Sequence, residues 1–333
     1  MRKINLFILL LIFISCGNSH KLKNNSKKAV HFSVAIKEGE LKTNLYELAS
    51  DKYEGRETGK KGLELSATYL QNYYKNLEIQ GGMPDTSYFQ NFRVWSKRDK
   101  DSLNGKNVLA FIKGKSKPNE IIVISAHYDH LGMKNNETYF GTDDDGSGTV
   151  AVMQIAKAFK EAKDKGYTPE RSILFLHFAG EEKGLLGSNH YTNNPIYSLK
   201  QTVTNLNIDM IGRVDEAHKD NSNYLYLIGA DRISQELHDI SAHINKEYIQ
   251  LDLDYRYNEE SDPNRFYYRS DHYNFAKHGI PVIFYFNGTH KDYHKPTDTP
   301  EKINYKLLTK RTKLIFITAW KIANKDKRLK INK

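Results

Sequence analysis

Short apolar runs constrain this chain most: EIIVISA (120–126), RSILFLHF (171–178), TVTNLNI (202–208) and PVIFYF (281–286). They run continuously or alternate in β-branched and aromatic residues, as strands do when a sheet is covered on both faces. YFQNFRVW, NVLAFIKG and YLYLIGA add further strands, and helical stretches lie between them. This alternation is that of an α/β domain with a largely buried sheet. Helices are expected over 38–50 and over 62–78, where Leu63, Ala67, Leu70, Tyr74 and Leu77 recur at helical spacing before Gly81-Gly82 stops the pattern. An amphipathic helix over 304–323 closes the chain, while 255–269 fits neither period and is expected to be a loop near the strand ends.

The N-terminus reads differently. Arg2 and Lys3 precede an unbroken apolar run from Leu6 to Ile14, too short to span a bilayer but suited to a secretory leader. Cys16 is the only cysteine, and FISC resembles the lipobox of bacterial lipoproteins, in which cleavage leaves the cysteine as the lipid-bearing N-terminus. The expected organisation is a leader over 1–15, a flexible lysine-rich tether over 16–30, and one domain over 31–333 with an N-terminal helical element over 31–110. The expected location is the bacterial cell envelope, anchored to the membrane through Cys16 and facing the periplasm or the exterior.

If Cys16 carries the anchor, the mature chain forms no internal disulfide, and any metal site is built from nitrogen and oxygen. The formal charge of +10 is scattered as lysines, and no nucleic-acid motif accompanies it, so nucleic acid is not expected as a partner.

Ligands of open α/β sheets bind beyond the carboxyl ends of the strands. There the sequence places His127, Asp129 and His130, then Asp143-Asp144-Asp145 before a helix, then Glu181-Glu182, Asp209, and Tyr293-His294. Singly each is ordinary: a surface His–Asp pair, a helix cap or a solvated turn. Together they form an oxygen and nitrogen donor set suited to zinc, and so many carboxylates need a cation nearby. His177, inside an apolar run, reads as a core histidine. Asp271 reads as site support or a helix cap, and Asp298 as orienting the His294 loop or capping the last helix.

At this point the motifs SAHYDHLG, GTDDDGSGT, FAGEEKGLLGS, NIDMIG and YHKPTDT, in that order, resemble those of metallopeptidase family 28, the co-catalytic di-zinc aminopeptidases. The resemblance runs from about Leu45 to the last helix. It implies a mixed, largely parallel central sheet flanked by helices, the zinc-exopeptidase fold, and two zinc ions. His127 and Asp209 would hold one, Glu182 and His294 the other, and Asp144 would bridge them. Asp129 would hold the His127 tautomer from behind, Glu181 would be the general base activating a metal-bound water, and Tyr293 would face the developing oxyanion. The family also implies a cis peptide between Asp144 and Asp145. The substrates implied are peptides shortened from the amino end; the alternatives are a single-zinc glutaminyl cyclase and a non-catalytic peptide-binding envelope protein.

Overall fold

The computed structural model describes residues 27–97 and 99–333, so the leader, Cys16 and most of the expected tether lie outside the described residues. Residues 27–33 are already helical, with Ala29 and Phe32 buried, so ordered structure begins a few residues before His31. The apolar side chains of Ala29 and Phe32 explain the difference, since both belong to the core.

An eight-stranded sheet organises the rest. Its strands are β1 (Phe89–Ser96), β2 (Asp101–Ile112), β3 (Lys117–His127), β6 (Arg171–Phe178), β7 (Thr202–Ile208), β8 (Tyr224–Ile228), β9 (Asp252–Asp254) and β10 (Val282–Phe286). A small hairpin, β4 (Gly132–Lys134) and β5 (Glu137–Tyr139), stands apart. The order across the sheet is β1-β2-β6-β3-β7-β10-β8-β9. The four central strands β6, β3, β7 and β10 are parallel, β2 runs against both its neighbours, and β8 runs against β10. The sheet is therefore mixed and largely parallel, and its four parallel strands end at one edge.

Alternation along these strands feeds two cores. Ile122, Ile124, Ile173 and Phe175 face one side, under α1 (Glu38–Leu48), α2 (Lys61–Asn76), α3 (Gly148–Asp164), α5 (Gln235–Ile244) and α7 (Tyr305–Ala323). Val123, Leu174, Leu176 and Phe284 face the other, where α4 (Leu186–Asn193) and α6 (His272–Ala276) bring Tyr191 and Phe275. The strands read as nearly continuous apolar runs because both faces are covered. The closing helix α7 is less amphipathic than expected. It packs against α1, α3 and α5, which bury it around most of its circumference, Arg311 and Thr312 included, and leave its lysines to face outward.

Three fully buried arginines, Arg56, Arg171 and Arg311, fasten the layers through backbone carbonyls. Arg311 donates from α7 to the carbonyls of Ile211 (2.8 Å) and Arg213 (2.8 Å), just downstream of Asp209. Arg56 donates to the carbonyls of Tyr128 (2.7 Å), Leu48 (2.9 Å), Phe140 (2.7 Å) and Gly141 (2.7 Å). It thus ties the N-terminal helices to the two loops that carry His127 and Asp144. Replacing Arg56 by methionine strands the carbonyls of Tyr128, Leu48 and Phe140 in the interior, each worth about 1–3 kcal/mol when left without a donor, while the Gly141 carbonyl keeps the Gly146 N–H. Urea unfolding is expected to show a loss on the order of 3 kcal/mol or more; an unchanged midpoint would show that water takes over these carbonyls without cost.

Candidate metal centre

Four of the expected groups follow the ends of the four parallel strands: His127 ends β3, Glu181-Glu182 follow β6, Asp209 follows β7, and Tyr293-His294 follow β10. The fifth does not. Asp143-Asp144-Asp145 lie in a kinked turn, Thr142–Ser147, between the β4–β5 hairpin and α3. Gly141, in the left-handed region (φ 52°), starts that turn, and a Cβ there would collide with the His130 ring and the Asp144 carbonyl. The peptide between Asp144 and Asp145 is cis, as the resemblance implies.

Donor atoms converge in two groups. In the first, His127 Nε2 lies 3.3 Å from Asp144 Oδ1 and 3.6 Å from Asp209 Oδ1. In the second, His294 Nε2 lies 3.0 Å from Asp144 Oδ2 and 3.3 Å from Glu182 Oε1. The two oxygens of Asp144 therefore face the two groups. Ligands of one tetrahedral zinc, each at about 2.0–2.1 Å, stand about 3.3 Å apart. His127 Nε2 and Asp144 Oδ2 are buried and make no hydrogen bond among the described residues despite these approaches. Atoms that crowd together without hydrogen-bond geometry suit a shared cation, and imidazole with carboxylate is a donor set for zinc.

The carboxylates and imidazoles shift one another's titration. Burial disfavours charge on His127, yet Asp209 and Glu181 lift its pKa well above the ordinary value. Burial also works against charge on His294, but its contacts with Asp144 and Glu182 raise it to about 10. Burial pushes the Asp145 carboxyl well up, and the Asp209 charge adds to this.

The remaining expected residues surround these groups. The Asp129 carboxylate is 3.7 Å from His127 Nδ1, beyond hydrogen-bond reach; the imidazole meets the Asp129 backbone carbonyl at 3.1 Å instead. The carboxylate accepts from Thr58 Oγ1 (2.9 Å) and from the Glu181 backbone N–H (3.1 Å), so it locks the Glu181 turn. Adjacent Glu181 and Glu182 diverge: Glu182 joins the second group, and Glu181 lines a cleft together with Asp144, Asp209 and Tyr293. Burial holds the Glu181 carboxyl well above its ordinary pKa, and the Asp209 and Glu182 charges reinforce this against His127. Tyr293 stacks on His294 at 3.9 Å between ring centroids.

Asp298 does not cap α7, but it is tied to the His294 loop, its backbone N–H donating to the Lys295 carbonyl (3.1 Å) and its carboxylate meeting Arg213, which also holds Asp292. The Asp298 carboxylate also accepts the backbone N–H of Asp143 (2.8 Å), and Asn304 caps α7 by accepting from Leu307. Asp271 does not cap α6; it is buried, with both oxygens lacking a hydrogen bond among the described residues. His177 is a core histidine held by the Tyr74 hydroxyl at 2.6 Å.

Two participants carried no assigned role in the sequence reading. Asp145 comes within donor range of His127 and Asp209, while its Oδ1 accepts from the backbone N–H groups of Gly148 and Met210, both at 2.9 Å. His130 is wholly buried, with Nδ1 2.8 Å from Glu182 Oε1 and 3.8 Å from Asp144 Oδ2. The signal for it was present in HYDH, three residues after His127, but a second histidine in a turn is indistinguishable in sequence from a surface one. His130→Gln is expected to weaken cation binding at the second group about tenfold or more while sparing the first. Metal content after dialysis would fall from two equivalents toward one, and two retained equivalents would remove His130 from the centre.

The model of peptidase family M28 matches residues 107–319. A probable aminopeptidase of Saccharomyces cerevisiae, YDR415C, is 25% identical over 301 residues, 87% of this chain and 75% of its own length. A probable leucine aminopeptidase of Trichophyton verrucosum is 27% identical over 282 residues, 79% of this chain and 72% of its own. In fold the chain is similar to the Legionella pneumophila LapA aminopeptidase (TM-score 0.68, 23% identity, 90% of this chain and 75% of that one). It is also similar to a zinc aminopeptidase of Bacillus subtilis (TM-score 0.67, 16% identity, 88% and 96%). The glutaminyl cyclase of Porphyromonas gingivalis shares the fold as well (TM-score 0.65, 17% identity, 85% and 97%). With its family model covering most of the chain and the donor groups gathered at the ends of the parallel strands, this protein belongs to peptidase family M28.

Proposed function

We propose that this chain is a zinc-dependent aminopeptidase that removes residues from the amino end of peptides. The observation that carries this reading is the pair of imidazole–carboxylate groups sharing Asp144 and opening on a cleft in which Glu181 stands outside both. His127 and Asp209 would hold one zinc, Glu182 and His294 the other, and Asp144 would bridge. Zinc, when bound, supplies a Lewis acid for the peptide carbonyl and lowers the pKa of water. Glu181 accepts the proton of the attacking water and returns it to the leaving amine, and its raised pKa suits both halves of that task. Asp129 fixes the Glu181 backbone, and Tyr293 presents its hydroxyl toward the oxygen on which charge develops. The relatives named as aminopeptidases support the choice of the amino end.

Glu181→Gln keeps the shape of the turn and removes the proton carrier. It is expected to retain two zinc ions and to lose at least about a hundredfold in kcat. Mass spectrometry of one peptide, free and N-acetylated, tests the substrate end. Stepwise shortening of the free peptide alone, abolished by chelator, supports the reading, whereas cleavage of the acetylated peptide from its other end overturns it. Glutaminyl cyclisation is a second reading on the strength of the fold likeness, and conversion of an N-terminal glutamine without hydrolysis would favour it.

We also propose that the chain is held in a bacterial envelope by a lipid on Cys16, on the strength of the apolar run and FISC. No helix among the described residues is long and apolar enough to cross a membrane. Cys16→Ala is expected to move the protein from the membrane fraction to the soluble one; continued membrane binding would contradict the anchor.

A further inference from the structure

The cleft beside the two donor groups is floored by aromatic side chains. Phe266, Phe284 and Phe286 are nearly fully buried, with ring centroids 4.9 Å apart for Phe266–Phe286 and 5.1 Å for Phe284–Phe286. Met210 completes the apolar wall, and Arg269 stands at the mouth of the same cleft. The Arg269 guanidinium lies 5.0 Å from the centroid of the Phe266 ring, which holds it by a cation–π contact. Its neighbour Ser270 donates to Asp209 Oδ2 at 2.6 Å, so the backbone that carries Arg269 is pinned to the donor groups.

Three other arginines meet carboxylates, whereas the buried Arg56 and Arg311 meet backbone carbonyls. Arg213 meets Asp292 at 2.7 Å, Arg256 meets Asp254 at 2.7 Å, and Arg171 meets Glu120 at 2.6 Å. Arg269 has no carboxylate partner among the described residues, although Asp144, Glu181 and Asp209 line the same cleft. A planar five-donor group, held by an aromatic ring and left without an anion, is suited to binding a carboxylate brought by the substrate. An apolar side chain would use only the aromatic floor, and a basic one would meet like charge at the mouth.

We propose that Arg269 is a specificity residue that receives a substrate carboxylate, and that the cleft selects peptides beginning with glutamate or aspartate. The inference rests on the aminopeptidase reading, because the cleft adjoins Glu181 and so would take the side chain next to the scissile bond. Two sources could supply the carboxylate: the side chain of the first residue, or the free α-carboxylate of a very short peptide.

The test uses the zinc-loaded chain and its Arg269→Gln and Arg269→Lys variants. Hydrolysis of glutamyl, glutaminyl and leucyl p-nitroanilides, which share a leaving group, is compared with that of Leu-Gly and its C-terminal amide. Ratios within one enzyme form are read, so a general loss of activity cancels. The expected result is a Glu-over-Gln ratio in kcat/KM of about tenfold or more, falling to about one in Arg269→Gln and partly kept in Arg269→Lys. If the ratio of Leu-Gly to its amide falls in Arg269→Gln instead, the carboxylate is the peptide's own terminus. If neither ratio differs between wild type and Arg269→Gln, Arg269 receives no carboxylate and the proposal is overturned, while hydrolysis of the leucyl substrate leaves the aminopeptidase reading standing. No turnover of any substrate by the wild type overturns both.

Discussion

Asp143, Asp144, Asp145, Glu182 and Asp209 stand almost without water at one edge of the sheet, and the remaining architecture serves to keep them there. Carboxylates at this density repel one another and lose their hydration unless positive charge is supplied among them. The protein meets the demand with converging imidazoles and a geometry suited to cations, and with backbone N–H groups where no cation reaches. Asp143 combines both devices: it accepts from the backbone N–H of Gly212 at 2.7 Å and from Asn287 Nδ2 at 3.0 Å, and His290 Nε2 lies 3.2 Å from its Oδ2. Three adjacent aspartates thus meet three fates. One is held by fixed dipoles and the His290 imidazole, one faces both donor groups, and one combines the α3 N-terminus with a place beside His127.

Such a site requires a rigid frame, because donor atoms a fraction of an ångström out of place no longer share an ion. The four parallel strands set the spacing of four donor positions, and the buried arginines fix the loops between them. Arg56 bridges the segments on either side of His127 and Asp144, and Arg311 holds the loop beyond Asp209 to the last helix. The segment before residue 110 is part of that frame, for it supplies Arg56 and Thr58 and places β1 and β2 in the same sheet.

Loops that do not carry donors shape the cleft. Residues 255–269, aperiodic in sequence, fold into two short 3₁₀ turns, Arg256–Asn258 and Phe266–Tyr268. The second brings Phe266 into the aromatic floor and leaves Arg269 at the mouth. The same frame can thus serve substrates of different character, since the residues that read them are separate from those that hold the centre.

The α/β class and the strand runs were legible in the chain alone, because period and apolar content are local properties written residue by residue. The donor residues also stood out in the chain, since four of their groups follow strand ends and all sit in motifs whose order is linear. His130 and Asp145 did not, because their part depends on which way a side chain turns after the chain has passed through a loop. The same holds for the Asp129 carboxylate, which holds the Glu181 turn while also standing 3.7 Å from the His127 ring, and for Asp298, which serves the Asp143 backbone across 155 residues of sequence. The buried arginines read as ordinary surface charges until folding surrounds them with carbonyls. Local pattern specifies elements; hydrogen-bond partners distant in sequence are chosen only when packing brings their backbones together.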